Sequence, residues 1–303
     1  MNNCIIIIPS HKRQAKLPQC AWYYSHFECP VYICDSTPGN PAVVPVYDNI
    51  NYLHVPELGF YDKILHVLQT TDAKYYALSP DDDFLKEETL LECIENMELE
   101  SRYSMAIGGQ VFWDEGFHNK VFRYPFGSNK LEGRKIEGCR LKRYTLFWPN
   151  YQNVLWSLFK KEVVVEAFTQ LIEAKYNNQN FIELTLGDVA ISKGWVYVSK
   201  NAFNYREYSI KEHWGKQVPE INTRNIKNDE DLKNDVLKYK NKGDKLRGFG
   251  LRLYASSNSG VIYLFKRLGH FVRYRLLRKT ESFSINYEDN FMAKLVDDTL
   301  HSA

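Results

Sequence analysis

The chain has 303 residues, 44% hydrophobic and 25% charged, the balance of an ordinary globular protein, and its net charge of +2 gives no global case for a nucleic-acid partner. Its cysteines (Cys4, Cys20, Cys29, Cys34, Cys93, Cys139) form no Cys-x-x-Cys pair, which argues against a zinc knuckle and for free thiols in a reducing cytoplasm. No apolar run approaches the ~20 residues of a membrane-crossing helix, and Met1-Asn2-Asn3 leads straight into an apolar strand without a signal peptide's basic region.

In chain order, Cys4-Ile5-Ile6-Ile7-Ile8 is a continuous β-branched run ended by Pro9-Ser10, the pattern of a central parallel strand covered on both faces. His11-Lys12-Arg13 follows, then a helix through Trp22-Tyr23-Tyr24. Val31-Tyr32-Ile33-Cys34 predicts a second strand with a turn at Asp35-Ser36-Thr37-Pro38-Gly39, and Asn51 to Val55 predicts a third. Gly59 opens a helix carrying Lys63, on which Ile64, Leu65, Val67 and Leu68 share a face. A fourth strand, Lys74 to Leu78, is stopped by Pro80, and the spacing of Leu90, Ile94 and Met97 predicts a further amphipathic helix. This alternation demands an α/β fold with a mostly parallel, doubly wound sheet flanked by helices.

Beyond it, Met105 to Trp113 resumes strand character, with Gly108-Gly109 permitting close approach to a ligand or a bulge. Residues 114–150 lack periodicity and suggest a lid or acceptor-binding loop. Lys161 to Ile172 predicts a helix, a second acidic site over Glu183 to Ile191 opens a short helix, and Val196 to Val198 predicts a strand. From about residue 220 the composition turns to Lys, Asp and Asn, suggesting an exposed helical connector over Ile226 to Lys245. A basic amphipathic helix over residues 261–279 either lies on an anionic membrane surface or docks on the core. The boundaries expected are a catalytic domain over 1–220 and a helical, basic extension over 221–303.

Asp81-Asp82-Asp83 is the stretch with most chemistry in it. Three carboxylates at the C-terminal end of a buried strand lie where open α/β sheets bind ligands. Adjacent charges about 5 Å apart repel by roughly 3 kcal/mol at an effective dielectric near 20. A hard cation, Mg²⁺ or Mn²⁺, would relieve that repulsion and could hold a substrate's phosphates. A solvated turn or helix cap is the plain alternative.

The order of these features resembles the GT-A glycosyltransferases, in particular the bacterial family-2-like enzymes that build capsule and lipopolysaccharide glycans. The resemblance spans about residues 4–215 and rests on Ile5-Ile6-Ile7-Ile8-Pro9-Ser10, Asp35-Ser36, Asp81-Asp82-Asp83 and Gly187-Asp188. It implies a nucleotide-sugar donor, a UDP-sugar first, and a glycan or lipid-linked acceptor, in a cytoplasmic enzyme that touches the inner membrane at most peripherally. Pro9, Ser10, Asp35, Lys63, Asp81 and Asp82 would line the donor pocket. Asp83, Asp81 and His213 would hold Mn²⁺ or Mg²⁺. Asp188 would deprotonate the acceptor hydroxyl in an inverting transfer, with Glu183 in reserve; Gly187 stands where the family often carries an acid. Trp148, Trp156 and Trp214 could stack on sugar faces. The alternatives are a nucleotidyltransferase, against which Ser10-His11-Lys12-Arg13 offers no glycine-rich phosphate loop, and a non-catalytic glycan-binding or scaffold module.

Overall fold

The structure is a computed structural model and describes residues 3–113, 121–123, 131, 135–151, 153–207 and 219–257. His213 and Trp214, and the basic stretch 261–279, lie outside the described residues.

The first half alternates as the sequence predicts. Strand β1 (Cys4–Ser10) is followed by a single 3₁₀ turn and helix α1 (Leu17–Tyr24), then β2 (Val31–Asp35), β3 (Ile50–His54), α2 (Phe60–Thr70) and β4 (Tyr75–Leu78). These four strands are parallel in the order β3-β2-β1-β4. Every residue of β1 is buried, because both of its faces are covered. Leu17, Cys20 and Tyr24 of α1 pack with Ile6 and Ile8, whereas Ile64 and Val67 of α2 pack with Ile5 and Ile7 on the opposite face.

After β4 the pattern changes. A short β5 (Asp83–Leu85) precedes α3 (Glu87–Leu99), β6 (Tyr103–Trp113), β7 (Val121–Arg123), α4 (Arg140–Phe147), β8 (Leu158–Lys160), α5 (Lys161–Ala174), α6 (Phe181–Lys193) and β9 (Trp195–Glu207). β8 lies between β4 and β6, antiparallel to both, and β5 closes the far edge antiparallel to β9. The sheet is therefore mixed. Strands as short as β5 and β8 are too brief for a period-2 signal, so neither shows in the sequence. The long parallel pair β6–β9 shifts register on both sides of Gly109, the bulge the glycines allow, and at Gly108 the crowding comes from β9: a Cβ there would stand 2.7 Å from Phe203 Cβ and 2.9 Å from the Asn201 carbonyl.

The last described helices, α7 (Thr223–Asn228), α8 (Glu230–Asn241) and α9 (Lys245–Ser257), correct the expectation of an exposed connector. α8 buries Leu232, Val236 and Tyr239, and the Tyr239 hydroxyl donates to the Leu184 carbonyl at 3.1 Å. Its apolar residues recur at three- and four-residue intervals among many charges, a stripe narrow enough to be masked by the composition. Among the described residues, no helix is long and apolar enough to cross a membrane.

Candidate functional site

The C-terminal ends of β1, β2 and β4 meet in one polar rim. Ser10 ends β1 in register with Asp35 at the end of β2. Lys63, in the first turns of α2, is not an exposed helix lysine: it is 2% exposed, and its Nζ donates to the Ser10 carbonyl at 2.5 Å and to Ser36 Oγ at 3.0 Å. Burial lowers its pKa, against the pull of Cys34, Asp35 and Asp81. The ammonium thereby ties the ends of two strands together. Pro9, just inside β1, is buried and pairs with Cys34.

Asp35 is fully engaged by the protein. One carboxylate oxygen accepts from the Thr37 amide at 2.9 Å and the Thr37 hydroxyl at 2.5 Å; the other accepts from Gln14 Nε2 at 2.9 Å and the Tyr52 hydroxyl at 3.0 Å. Burial pushes its pKa up, but these donors outweigh it and hold the carboxyl below the usual aspartate range. Four donors fill the lone pairs of a carboxylate, so Asp35 organises the β2 end and its turn. A ligand reaching this corner meets the groups Asp35 positions as well as Asp35 itself.

The acidic triplet sits where the sequence puts it, beyond the end of β4, and its members differ. Asp81 is buried and accepts from Ser10 Oγ at 2.6 Å and from Arg13 Nη1 at 3.1 Å. Asp82 is more open and takes the same Arg13 nitrogen. Burial raises the Asp81 pKa, with Asp82 adding to the rise and Ser10 and Arg13 opposing it. Asp83 is buried in β5, its backbone in register with residue 206 of β9, and so is not the cap of α3. Arg13 is not among the expected site residues, and at 68 positions from Asp81 nothing local in the sequence points to the pairing.

These oxygens are the donor type Mg²⁺ and Mn²⁺ prefer, and such ions are commonly held by one or two carboxylates plus substrate phosphates. Asp81 and Asp83 are of that donor type. Among the described residues no group of three His, Cys, Asp or Glu side chains could enclose a metal, so substrate oxygens would have to complete the coordination.

Glu183 and Asp188 separate clearly. Asp188 does not start a helix: it is in the interior of α6, buried, with one oxygen accepting from Tyr144 at 2.7 Å and the other from Arg247 Nε at 2.6 Å. Glu183 is in the first turn of α6 and partly exposed, accepting from Asn153 Nδ2 at 2.7 Å and from the Tyr151 hydroxyl. The topology puts Glu183 at the rim. β8 is antiparallel to β4, and Leu78 N donates to the Ser157 carbonyl at 3.2 Å, so the segment from Tyr151 to Ser157 arrives at the C-terminal end of β4. α6 then descends to the opposite edge, where β9 starts alongside β6. Asp188 lies about 7.5 Å further down that helix at 1.5 Å per residue. Trp148 is excluded from sugar stacking by full burial against Phe147, Tyr151 and Tyr254, and Trp156 is partly buried.

Together these elements form the α/β fold of the GT-A glycosyltransferases. The likeness is to solved structures of Staphylococcus aureus TarS: the 1–349 fragment with UDP superposes with a TM-score of 0.52 at 10% identity, covering 89% of this chain and 75% of that one. The same fragment with UDP-GlcNAc gives 0.51 at 12% identity, covering 91% and 77%. Against the longer TarS structure the chain spans 37% of that protein's length, with a TM-score of 0.45. No family model and no curated protein sequence matches the chain.

Proposed function

We propose that the protein is a metal-dependent, inverting glycosyltransferase that moves a sugar from a nucleoside-diphosphate donor, a UDP-sugar, to a hydroxyl of a glycan or lipid-linked acceptor. The observation that carries this is the convergence of Ser10, Asp35, Lys63 and the acidic triplet at the C-terminal ends of β1, β2 and β4, with Glu183 on the same edge. The fold it shares with UDP-bound TarS supports the choice of donor.

In this reading the rim from Pro9 to Asp35 holds the nucleoside, and Lys63 keeps the two strand ends at fixed separation. A Mn²⁺ or Mg²⁺ ion on Asp83 and Asp81 would neutralise charge on the departing diphosphate. Glu183 accepts the proton of the acceptor hydroxyl on the face opposite the leaving group, held in orientation by Tyr151 and Asn153. It suits this role better than Asp188, whose oxygens are both taken by Tyr144 and Arg247 away from the rim. Cleavage of the donor and formation of the new glycosidic bond then leave UDP as product.

The test is thermal denaturation with UDP, with and without Mn²⁺, followed by assay of UDP release from UDP-sugars. A ligand that binds only the native state raises the melting temperature by mass action. A Mn²⁺-dependent rise with UDP is expected, and no response to UDP under either condition would remove the reading.

A further inference from the structure

Arg13 occupies a peculiar position at the rim. Lys12 adopts a left-handed backbone (φ 59°), and its amide donates to Thr37 Oγ1 at 2.7 Å, so the chain leaving β1 is pinned beside the turn that follows β2. From there Arg13 reaches Asp81 and Asp82 together, and both contacts use the single nitrogen Nη1. The three side chains grade from 33% exposed at Arg13 through 22% at Asp82 to 5% at Asp81.

Two features of this contact matter. A guanidinium holds a carboxylate most firmly through two parallel hydrogen bonds, and one nitrogen shared between two carboxylates forgoes that fork. The hold is therefore exchangeable. Second, two adjacent carboxylates, one of them buried, are held in their ionised form by a positive partner. Arg13 is that partner, and a divalent cation that takes Asp81 competes with Arg13 for that carboxylate. The side chain freed in this way is planar, permanently charged and shaped for bidentate contact with phosphate oxygens.

On the reading of a nucleoside-diphosphate donor at this rim, we propose that Arg13 is a counter-ion that exchanges. It holds Asp81 and Asp82 before the donor arrives, and it turns to the donor's diphosphate when the divalent cation takes Asp81. Arg13 is thus a donor-binding residue whose resting partner is the metal site itself, and the two states of its side chain couple cation binding to donor binding.

The coupling has a signature of opposite signs. Mn²⁺ alone should bind Arg13→Gln more tightly than wild type, by about tenfold, within the range usual for coupled sites. UDP in saturating Mn²⁺ should bind the same variant about tenfold more weakly, one bidentate phosphate contact having been lost. Arg13→Lys, which keeps the charge but not the fork, should restore Mn²⁺ affinity toward wild type while leaving UDP weakened. Mn²⁺ binding is read by electron paramagnetic resonance of the free ion and UDP binding by calorimetry, with circular dichroism confirming that each variant is folded. Unchanged or weakened Mn²⁺ binding in Arg13→Gln, or unchanged UDP binding, overturns the exchange and leaves the glycosyltransferase reading standing. A wild-type protein that binds UDP equally well in chelator also overturns it. If wild type binds UDP neither with nor without Mn²⁺, the functional reading fails and the exchange fails with it.

Discussion

Arg247 Nε donates to Asp188 Oδ2 at 2.6 Å, and each of these side chains is 3% exposed. The pair is embedded further: Tyr144 donates to the other Asp188 oxygen, Arg247 Nη2 donates to Gln170 Oε1 at 2.7 Å, and the guanidinium lies 4.9 Å from the Tyr239 ring centroid. One ion pair thus joins α9 to α4, α5, α6 and α8. Removing one partner of a buried pair strands the other charge, at a cost of about 3–5 kcal/mol. Arg247→Met should lose that much stability in urea unfolding, and Asp188→Leu combined with Arg247→Met should recover most of it. UDP affinity of the folded single variant should stay at the wild-type value in calorimetry, because the pair lies away from the donor rim.

The same packing reaches Glu183 by way of Tyr151. The Tyr151 ring is stacked on Trp148 at 5.8 Å and meets the Tyr254 ring edge-on at 5.0 Å, while its hydroxyl donates to Glu183. Burial, reinforced by the neighbouring Glu183 charge, pushes the Tyr151 pKa well up, so it remains a neutral donor. Glu183→Gln should lower turnover of the UDP-sugar by about 10²–10⁴-fold, the usual contribution of a general base. Tyr254→Ala should lower it by roughly tenfold, since small misplacements of a catalytic group are costly. Both variants should bind UDP as wild type does, which steady-state kinetics and calorimetry on the same preparations will check.

Lys63 carries a pH signature. Its folded pKa lies below the ordinary lysine value because of burial. Between the two values the unfolded chain binds more protons, so this group adds stability as pH rises through that alkaline window. Lys63→Met lacks the gain and also loses the bonds to Ser10 and Ser36. It should be less stable than wild type by about 2 kcal/mol at neutral pH, the range for charged hydrogen bonds. The gap should widen as the medium is made more alkaline, measured as the difference between the two proteins in chemical denaturation.

What the sequence disclosed and withheld follows from the range of each interaction. The runs at Ile5 to Ile8 and Tyr75 to Leu78 announce buried parallel strands because both faces are apolar, and the acidic triplet is contiguous. Arg13 and Asp81 are 68 positions apart and Arg247 and Asp188 are 59 apart, and nothing local selects such partners. Asp188 illustrates a sharper failure. The helix expected to open at Glu183 begins at Phe181, but α6 is buried on nearly every side, so no amphipathic period shows that Asp188 lies in the interior of the packing. Gly187 is small for packing: a Cβ there would stand 3.2 Å from the Phe147 ring and 3.3 Å from the Trp148 ring.

Asp81 sets function against stability. Burial, more than any neighbour, raises its pKa above the ordinary aspartate value, and Ser10 and Arg13 only partly offset the rise. The folded protein therefore holds this proton more tightly than the unfolded chain does. The sign follows: stability from this group falls as pH climbs from the ordinary value through the raised one, and the ionised carboxylate is a standing cost at neutral pH. Asp81→Asn removes the charge while Arg13 keeps its contact with Asp82. Its melting temperature at neutral pH should equal or exceed that of wild type, and the difference should shrink in acid as the wild-type carboxyl takes up its proton. UDP binding in Mn²⁺ should be lost at every pH, because the oxygen that serves the cation has become an amide. Calorimetric melting across the acid range, paired with UDP titration of the same variant, measures both halves; a variant that melts well below wild type at neutral pH would mean that the buried carboxylate is there for the fold and not for the ligand.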